Sequence, residues 1–483
     1  MKSPAGLLLL SLIVFFTVGC KSQPTSPAIP FLSKIELLAE YDSLCAALRE
    51  AHGGLYRFHT KEEIDKHFAD YRSRVNVKTT KYEYIELLME MLAYIGDGHM
   101  RLELDGATME AYNKAKTFPL LMFFESDRLV VLYNDSPDDL TIKPGMEILE
   151  INGHKTADLL KTILTKLPHD GFIETGRKRR LDRSFSIGYW LFIEQTESFK
   201  IKARDEKGNT VNIELAGVTT AQREANRAKN PLNAEMLMQS AKLDGSKENI
   251  TYRFINDTVA TLRVRNFVDE GFTSSVDDAM SELTKAKAII LDLRGNGGGA
   301  DMWGAWLVSK FTAKPFRYFD RIHLPTINPS FTNWKQETKE DMKNYTVVDP
   351  RGGFLATNKL HPGVGQQAPA DKPFTGKLIV LADGLTFSTA ADVCAQLRNR
   401  ANTIFVGEET GGGYAGNTSG SNARFNFPHS GFRLSIHVYD YWNAVQAREK
   451  GRGIMPDYTI ENKVKEMEQG VDAQWEQAWK LAR

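Results

Sequence analysis

A buried strand that runs directly into a glycine-rich loop and then a helix is the feature that most constrains the fold. The strand spans residues 288–291, the loop 292–299 and the predicted helix 300–311. Glycines at such a junction leave backbone amides unshielded, and the helix dipole adds positive potential. The loop is therefore predicted to stabilise an anion, which is either a bound phosphate or a transition-state oxyanion.

Strands and helices alternate around this loop, which predicts an α/β domain with a mostly parallel sheet. The predicted strands are 259–264, 288–292, 378–382 and 403–406, and the helices are 273–284, 300–311 and 389–397. Residues 312–372 show weak periodicity and are predicted to form a long loop. We assign residues 250–462 to this α/β core and 463–483 to a C-terminal helix.

The chain is too long for one core, and its first half divides into two further units. Residues 33–105 are predicted to form a helical domain, because Ser33, Thr60 and Thr80 each begin a Ser/Thr-x-x-Glu capping box. Residues 116–216 contain short strands, with a Pro-Gly and an Asn-Gly turn around residues 146–151. This pattern resembles a PDZ domain, which captures extended peptides at a sheet edge. Residues 217–249 are predicted to connect this unit to the core.

The N-terminus carries a targeting segment. Lys2 precedes an apolar stretch at 5–18, shorter than the roughly 20 apolar residues of a spanning helix. Gly19-Cys20 resembles a bacterial lipobox, which makes residues 1–20 a signal peptide, Cys20 the lipidation site and residues 21–32 a tether. Thr17 stands where the lipobox usually has Leu, so a plain secretory signal is the alternative. The chain is expected to be an exported lipoprotein facing the periplasm or the cell exterior.

Ser388 stands between a predicted buried strand, 378–382, and the helix that follows it. A serine on such a turn projects its hydroxyl at the carboxyl edge of the sheet, as in a nucleophile elbow. A helix cap is the other interpretation, since serine is a common N-cap and Thr389 with Asp392 would form a capping box. This segment alone allows both roles.

Four motifs together resemble the C-terminal processing peptidase and tricorn-core family of serine peptidases. They are Asp-Leu-Arg-Gly-Asn-Gly-Gly-Gly at 292–299, Thr-Phe-Ser-Thr-Ala-Ala at 386–391, Gly-Glu-Glu-Thr-Gly-Gly-Gly at 407–413 and Gly-Ile-Met-Pro-Asp at 453–457. The resemblance implies an α/β crotonase-like (ClpP/crotonase) core behind a helical domain and a PDZ-like domain. It also implies a serine endopeptidase that acts on peptides or proteins through an acyl-enzyme, without cofactor or metal.

The same resemblance implies the site residues. The nucleophile falls on Ser388, and the oxyanion would be bound by the amide of Gly297 or Gly298 together with that of Thr389. The family base is a lysine after the serine or a histidine before the PDZ-like domain. No lysine lies between Lys377 and Lys450, so the matching base is His99.

The carboxylate that orients His99 has two candidates. The family Glu aligns on Lys450, so that Glu449 takes the role if the alignment shifts by one residue, and Asp97 is the alternative. Gly98 stands where the tricorn branch has a serine. These two departures favour a catalytically inactive peptide-binding protein as an alternative function.

Other patterns carry less weight. Gly295-x-Gly297-x-x-Ala300 fits a loose dinucleotide-binding pattern, which keeps a nucleotide-dependent enzyme as a second alternative. The basic run 177–180 is interpreted as a solvated loop. With 61 basic and 61 acidic residues, the composition offers no field for nucleic acid. Cys45 and Cys394 are predicted to be buried free thiols.

Overall fold

A computed structural model describes residues 32–77, 79–446 and 449–483 of the chain. The signal peptide, Cys20 and most of the predicted tether therefore lie outside the described residues. Within the described part, no helix combines the length and apolar character that crossing a membrane requires.

The N-terminal unit is helical, as predicted. Its elements are α1 (Lys34–Ala51), α2 (Lys61–Arg74), α3 (Lys81–Ala93), β1 (Arg101–Glu103) and α4 (Gly106–Lys114). Both halves of the capping boxes at Ser33, Thr60 and Thr80 are present, which confirms the predicted starts of the first three helices. The apolar faces of these helices join a hydrophobic cluster that continues into the α/β core. This shared cluster fixes the loop after α3 relative to the core.

The second unit is a sheet with two helices. Its elements are β2 (Leu120–Glu125), β3 (Arg128–Asn134), β4 (Glu147–Ile151), β5 (His154–Lys155), α5 (Thr156–Leu164), α6 (Glu174–Phe192), β6 (Ser198–Arg204) and β7 (Thr210–Ala216). The strand order is β2-β3-β4-β6-β7, and β5 pairs with β4. A separate hydrophobic cluster, which includes Phe118 and Phe199, fills this unit. Two helices, α7 (Arg223–Lys229) and α8 (Ala234–Asp244), then form the connection to the core.

The basic run 177–180 lies inside α6, so its interpretation as a solvated loop is wrong. Arg179 is buried, and its guanidinium forms ion pairs with Asp182 at 3.0 Å, Glu408 at 2.6 Å and Glu461 at 3.3 Å. Three carboxylates distant in sequence converge on one arginine, and this cannot be inferred from a local run of charge. The contact with Glu408 joins α6 to the core.

The α/β core follows the predicted alternation. Its elements are β8 (Ile250–Phe254), β9 (Val259–Val264), α9 (Phe272–Leu283), β10 (Ala288–Asp292), α10 (Asp301–Ser309), β11 (Phe316–Arg317), β12 (Phe319–Leu324), α11 (Gln336–Asn344), β13 (Thr346–Val348), β14 (Phe354–Ala356), β15 (Gln366–Gln367), β16 (Lys377–Ala382), α12 (Thr389–Arg398), β17 (Thr403–Gly407), β18 (Thr418–Asn426), β19 (Arg433–Asn443), β20 (Tyr458–Thr459), α13 (Val464–Glu468) and α14 (Ala473–Ala482).

The central sheet places the two sequence motifs side by side. Its order is β20-β17-β16-β10-β9-β8, and every pair is parallel except β8 with β9. Because β10 and β16 are parallel neighbours, with Asp292 opposite Leu381, their carboxyl ends meet at one edge. The loops that follow these strands, 292–299 and 383–388, therefore lie together.

A second sheet was not foreseen. Its order is β1-β19-β12-β14-β13, with β18 paired to β19. The predicted long loop 312–372 therefore contributes β12, β13 and β14 to this sheet. It also holds α11 and the separate pair of strands β11 and β15. These strands have two to six residues, and several expose polar side chains, which explains the weak periodicity. Pairing of Arg101 in β1 with Ser435 in β19 ties the loop after α3 to the core.

Candidate active site

Ser388 occupies a strained turn between β16 and α12. Its backbone has φ 52° and ψ −133°, and its side chain forms no capping bond with the described residues. Positive φ costs a non-glycine residue about 1–3 kcal/mol and persists where the surroundings impose it. The Thr389 hydroxyl donates to the Gly299 carbonyl at 2.8 Å and also contacts Asp301 Oδ1 at 3.1 Å, rather than forming a capping box with Asp392. The geometry is that of a strained turn between a strand and a helix, not of a helix capped by the Ser388 side chain.

The glycine-rich loop packs directly against Ser388. Gly298 has φ +96°, and a Cβ there would lie 2.7 Å from the Cβ of Ser388. The amide of Gly298 donates to Asn296 Oδ1 at 2.9 Å, so it already has an acceptor. The structure shows no hydrogen-bond acceptor for the amides of Gly297 and Thr389 within the described ranges. Of the three predicted oxyanion residues, Gly298 thus shapes the site and the other two keep their amides available.

His99 lies beside the Ser388 turn. Its ring contacts the ring of Phe387, the residue before Ser388, with centroids 4.4 Å apart. His437 Nε2 approaches the His99 carbonyl at 3.2 Å. Both ring nitrogens of His99 are buried and make no hydrogen bond to any described residue. The structure therefore brings His99 close to the Ser388 turn without a hydrogen bond between the two side chains. Catalytic hydrogen bonds of this kind often form only when substrate binds.

Asp97 is the carboxylate at His99. Its Oδ1 accepts the His99 backbone amide at 2.7 Å and lies 3.9 Å from His99 Nδ1, and its Oδ2 is 3.0 Å from Nε2 of the buried His52. Burial raises the pKa of Asp97, but the hydrogen bond with His52 and the charge of that ring outweigh this and lower it to about 2. Glu449 is exposed, and the structure gives it no bond to His99.

Position 98 has no room for a side chain, which explains why it is glycine. A Cβ on Gly98 would lie 2.8 Å from the Phe387 ring and 2.9 Å from Asp170 Oδ1. Asp170 accepts the amides of Gly98 at 2.8 Å and Gly413 at 3.3 Å, so it bridges the His99 loop and the core. No sequence motif marked Asp170, because its partners are distant along the chain.

Burial shifts the pKa values of His99 and Asp170. It lowers the pKa of His99 to about 3, although Asp97 opposes the shift, so the imidazole is neutral near pH 7. Burial, with the nearby charge of Asp97, raises the pKa of Asp170 to about 7. One ligand atom from each of Asp97, His99 and Asp170 lies within 4.8 Å of the others, a donor set that suits a divalent cation. The hydrogen bonds to Asp97 and Asp170 nevertheless account for both carboxylates without an ion.

The raised pKa of Asp170 predicts a pH dependence of stability. Between about pH 4 and pH 7 the folded chain holds a proton on Asp170 that the unfolded chain releases, so the free energy of unfolding falls as pH rises through this window. His99, with its lowered pKa, contributes the opposite slope below about pH 6.5.

Comparison of the wild-type chain with Asp170→Asn isolates the contribution of Asp170. We expect the wild-type chain to lose stability relative to the variant as urea unfolding is repeated from pH 5 to pH 8. Parallel curves across that range would mean that Asp170 is ionised throughout.

Residues 258–460, which include both loops and Ser388, match the family model described as Peptidase family S41. This segment of the chain belongs to peptidase family S41. It is therefore a serine-type peptidase by class. The matched segment does not include His99, Asp97 or Asp170, so the base and its partners rest on the geometry above. A search of curated protein sequences finds no match to this S41 peptidase.

Solved structures share its fold over nearly the whole chain. Mature CPAF matches with a TM-score of 0.63 and 14% identity, covering 93% of this chain and 96% of that one. Mature CPAF complexed with lactacystin matches with a TM-score of 0.64 and 14% identity, covering 93% and 98%. The S41 peptidase thus shares the fold of these proteins over 93% of its length.

Proposed function

We propose that the chain hydrolyses peptide bonds through an acyl-enzyme on Ser388. The observation that carries this proposal is the strained, uncapped Ser388 packed against a glycine-rich loop. Ser388 Oγ attacks the substrate carbonyl carbon while His99 takes the hydroxyl proton, and the peptide C–N bond breaks as His99 delivers that proton to the leaving amine. Water then attacks the acyl carbon while His99 takes its proton, and the ester C–O bond breaks as His99 returns that proton to Ser388 Oγ.

The amides of Gly297 and Thr389 bind the tetrahedral oxyanion in this proposal. Each such donor lowers the barrier by roughly 3 kcal/mol, since it is fixed before the charge develops. Gly298 has no side chain to separate the loop from Ser388, which allows the close approach that these donors require. The proposed role of Asp97 is positioning: it holds the His99 loop and stabilises the imidazolium, while His52 fixes the carboxylate.

The sheet unit is the proposed substrate-capture domain. Its strand β2 is at one edge of the sheet, and α6 packs beside it, an arrangement that suits addition of an extended peptide as in PDZ domains. Asp170, in the loop before α6, contacts both the His99 loop and Gly413. Peptide bound to this unit would lie in the part of the molecule that also shapes the catalytic group. The crotonase-like character of the core belongs to the same proposal.

Export completes the proposal. The segment from Lys2 to Cys20 supports a lipid anchor at Cys20, with the peptidase held at a membrane and facing the periplasm or the cell exterior. Peptide or protein substrates outside the cytoplasm would then be the targets. Metabolic labelling with a radioactive fatty acid tests the anchor, because a Cys20→Ser chain should take up no label.

A peptide-binding protein without catalysis is the second candidate. It is favoured by one observation: the His99 ring nitrogens have no hydrogen-bond partner among the described residues, and Phe387 packs on the ring. The two candidates predict different reactivity for Ser388. Only an activated serine reacts rapidly with a fluorophosphonate.

Mass spectrometry of the intact chain after treatment with a fluorophosphonate is the deciding experiment. We expect one adduct on the wild-type chain and none on Ser388→Ala. Asp97→Asn should slow labelling by about 100-fold or more, since the imidazole loses its oriented carboxylate. Glu449→Gln, an exposed carboxylate of the same type, should label at the wild-type rate.

Each contrary result has a defined meaning. A wild-type chain that stays unlabelled identifies the peptide-binding protein. An adduct on Ser388→Ala places the nucleophile elsewhere. Slow labelling of Glu449→Gln together with normal labelling of Asp97→Asn would transfer the positioning role to Glu449.

A further inference from the structure

A large cavity lies away from the nucleophile, at the other end of α12. It has a volume of about 1170 Å³ and is lined by parts of 311–321, 399–402 and 442–446. Ser388 stands at the N-terminal end of α12, and a ten-residue helix spans about 15 Å. Neither Ser388 nor His99 lines the cavity. It is therefore separate from the residues that would break the peptide bond.

The lining is strongly cationic. It contains Lys314, Arg317, Arg321, Arg400 and Lys450, whereas Asp320 is the single carboxylate in the lining that the structure describes. Five positive side chains and one negative one give a surplus of four positive charges in a chain whose basic and acidic residues are equal in number. Such a surplus in a concave surface concentrates positive potential and attracts anions.

Among the described residues, no carboxylate from outside the lining forms an ion pair with these five side chains. Arg317 and Arg321 share Asp320, at 3.8 Å and 2.9 Å. Arg400 donates hydrogen bonds to backbone carbonyls, including that of Gly376 at 2.7 Å, and to the Thr403 hydroxyl, and it forms no ion pair with a described carboxylate. Lys314 is exposed and has no ion-pair partner among the described residues.

Trp442 gives the wall a fixed shape. The guanidinium of Arg321 lies 4.3 Å from its ring and that of Arg57 lies 4.5 Å from it. The indole also donates to Asp440 Oδ2 at 2.6 Å. Because two arginines already lie near its ring, Trp442 is poorly placed to stack on a nucleotide base. Proteins that bind single-stranded nucleic acid use such stacking. The partly exposed Phe316 adds apolar surface that suits side chains of a peptide.

We propose that this cavity binds an acidic segment of the peptide substrate at a distance from the bond that is cut. The inference rests on the proposed peptidase function and adds a substrate class to it: peptides that carry Asp or Glu residues outside the cleaved position. Carboxylates of such a segment pair with Lys314, Lys450 and the exposed edge of Arg321. Because exposed charge pairs are screened by salt, the binding is expected to weaken as ionic strength rises.

Binding of labelled peptides to the Ser388→Ala chain tests the proposal without cleavage. Fluorescence anisotropy compares a Glu-rich peptide with the same peptide in which every Glu is Gln. The Glu peptide should bind at least about tenfold more tightly, and Lys314→Glu with Lys450→Glu should remove that difference. The matched control is Lys343→Glu with Lys480→Glu, which changes two exposed lysines outside the lining and should keep it.

The outcomes separate this proposal from the catalytic one. Equal affinity for the two peptides, or an unchanged preference in the Lys314→Glu and Lys450→Glu chain, overturns the acidic-segment site whatever the fluorophosphonate result. Tighter binding of a single-stranded oligonucleotide of the same charge also overturns it. A preserved preference in a wild-type chain that takes no fluorophosphonate would retain the cavity site and reject the catalytic function.

Discussion

A Ser388→Gly chain should lose peptide hydrolysis and yet be more stable than a Ser388→Ala chain by about 1 kcal/mol. Both variants remove the hydroxyl that is proposed to attack the substrate, so kcat should fall by at least about a thousandfold in both. Only glycine relieves the backbone, because φ 52° with ψ −133° is unfavourable for any residue with a Cβ. Glycine also gives the unfolded chain more freedom, which offsets part of the gain.

Urea unfolding and hydrolysis of a fluorogenic peptide, followed on the same preparations, measure the two effects. Asn402→Gly is the matched control: Asn402 also has positive φ, at 57°, but it precedes β17 and lines the cavity at the far end of α12, so its variant should keep full activity on a fluorogenic peptide without Asp or Glu. Equal stability of Ser388→Gly and Ser388→Ala would show that no strain is stored at the turn. Hydrolysis retained in either variant would remove Ser388 from the mechanism.

The parts of the fold that the sequence predicted are those with local signals. Residues 288–291 and 378–382 are continuous apolar runs followed by glycine or serine turns, which identifies buried parallel strands without knowledge of their neighbours. The three capping boxes are equally local, since each pairs residues three positions apart. The meeting of the two loops also requires that β10 and β16 be neighbours, which the structure shows and the local signals do not.

The parts that were missed depend on contacts between distant residues. Asp170 meets Gly98 across 72 positions, and Arg179 meets Glu408 across 229. Neither pair leaves a pattern in a short window, so Asp170 received no role and the run containing Arg179 was taken for a solvated surface. The sequence left two candidates for the orienting carboxylate, Glu449 by alignment and Asp97, and only the structure shows that Asp97, bonded to His52, lies beside His99.

The contact of Arg179 with Glu408 predicts the largest change in stability. In an Arg179→Met chain, the carboxylates of Glu408 and Asp182 would stay buried without their partner, at a cost of about 3–5 kcal/mol. Arg179 Nη1 also donates to the Phe124 carbonyl at 2.9 Å, so β2 loses a bond as well. Circular dichroism during urea unfolding measures the loss.

The control for this variant is Arg183→Met, which removes the same residue type from an exposed position of α6 and should change the free energy of unfolding by less than about 0.5 kcal/mol. Glu408 Oε2 also accepts the Gly384 amide at 3.2 Å, in the loop that leads to Ser388, so Arg179→Met should lower peptide turnover too. Adding Glu408→Gln to Arg179→Met should cost less than the sum of the two single changes, because the unpaired buried charge is then gone. If Arg179→Met is no less stable than Arg183→Met, the junction between α6 and the core is held by packing and not by this ion pair.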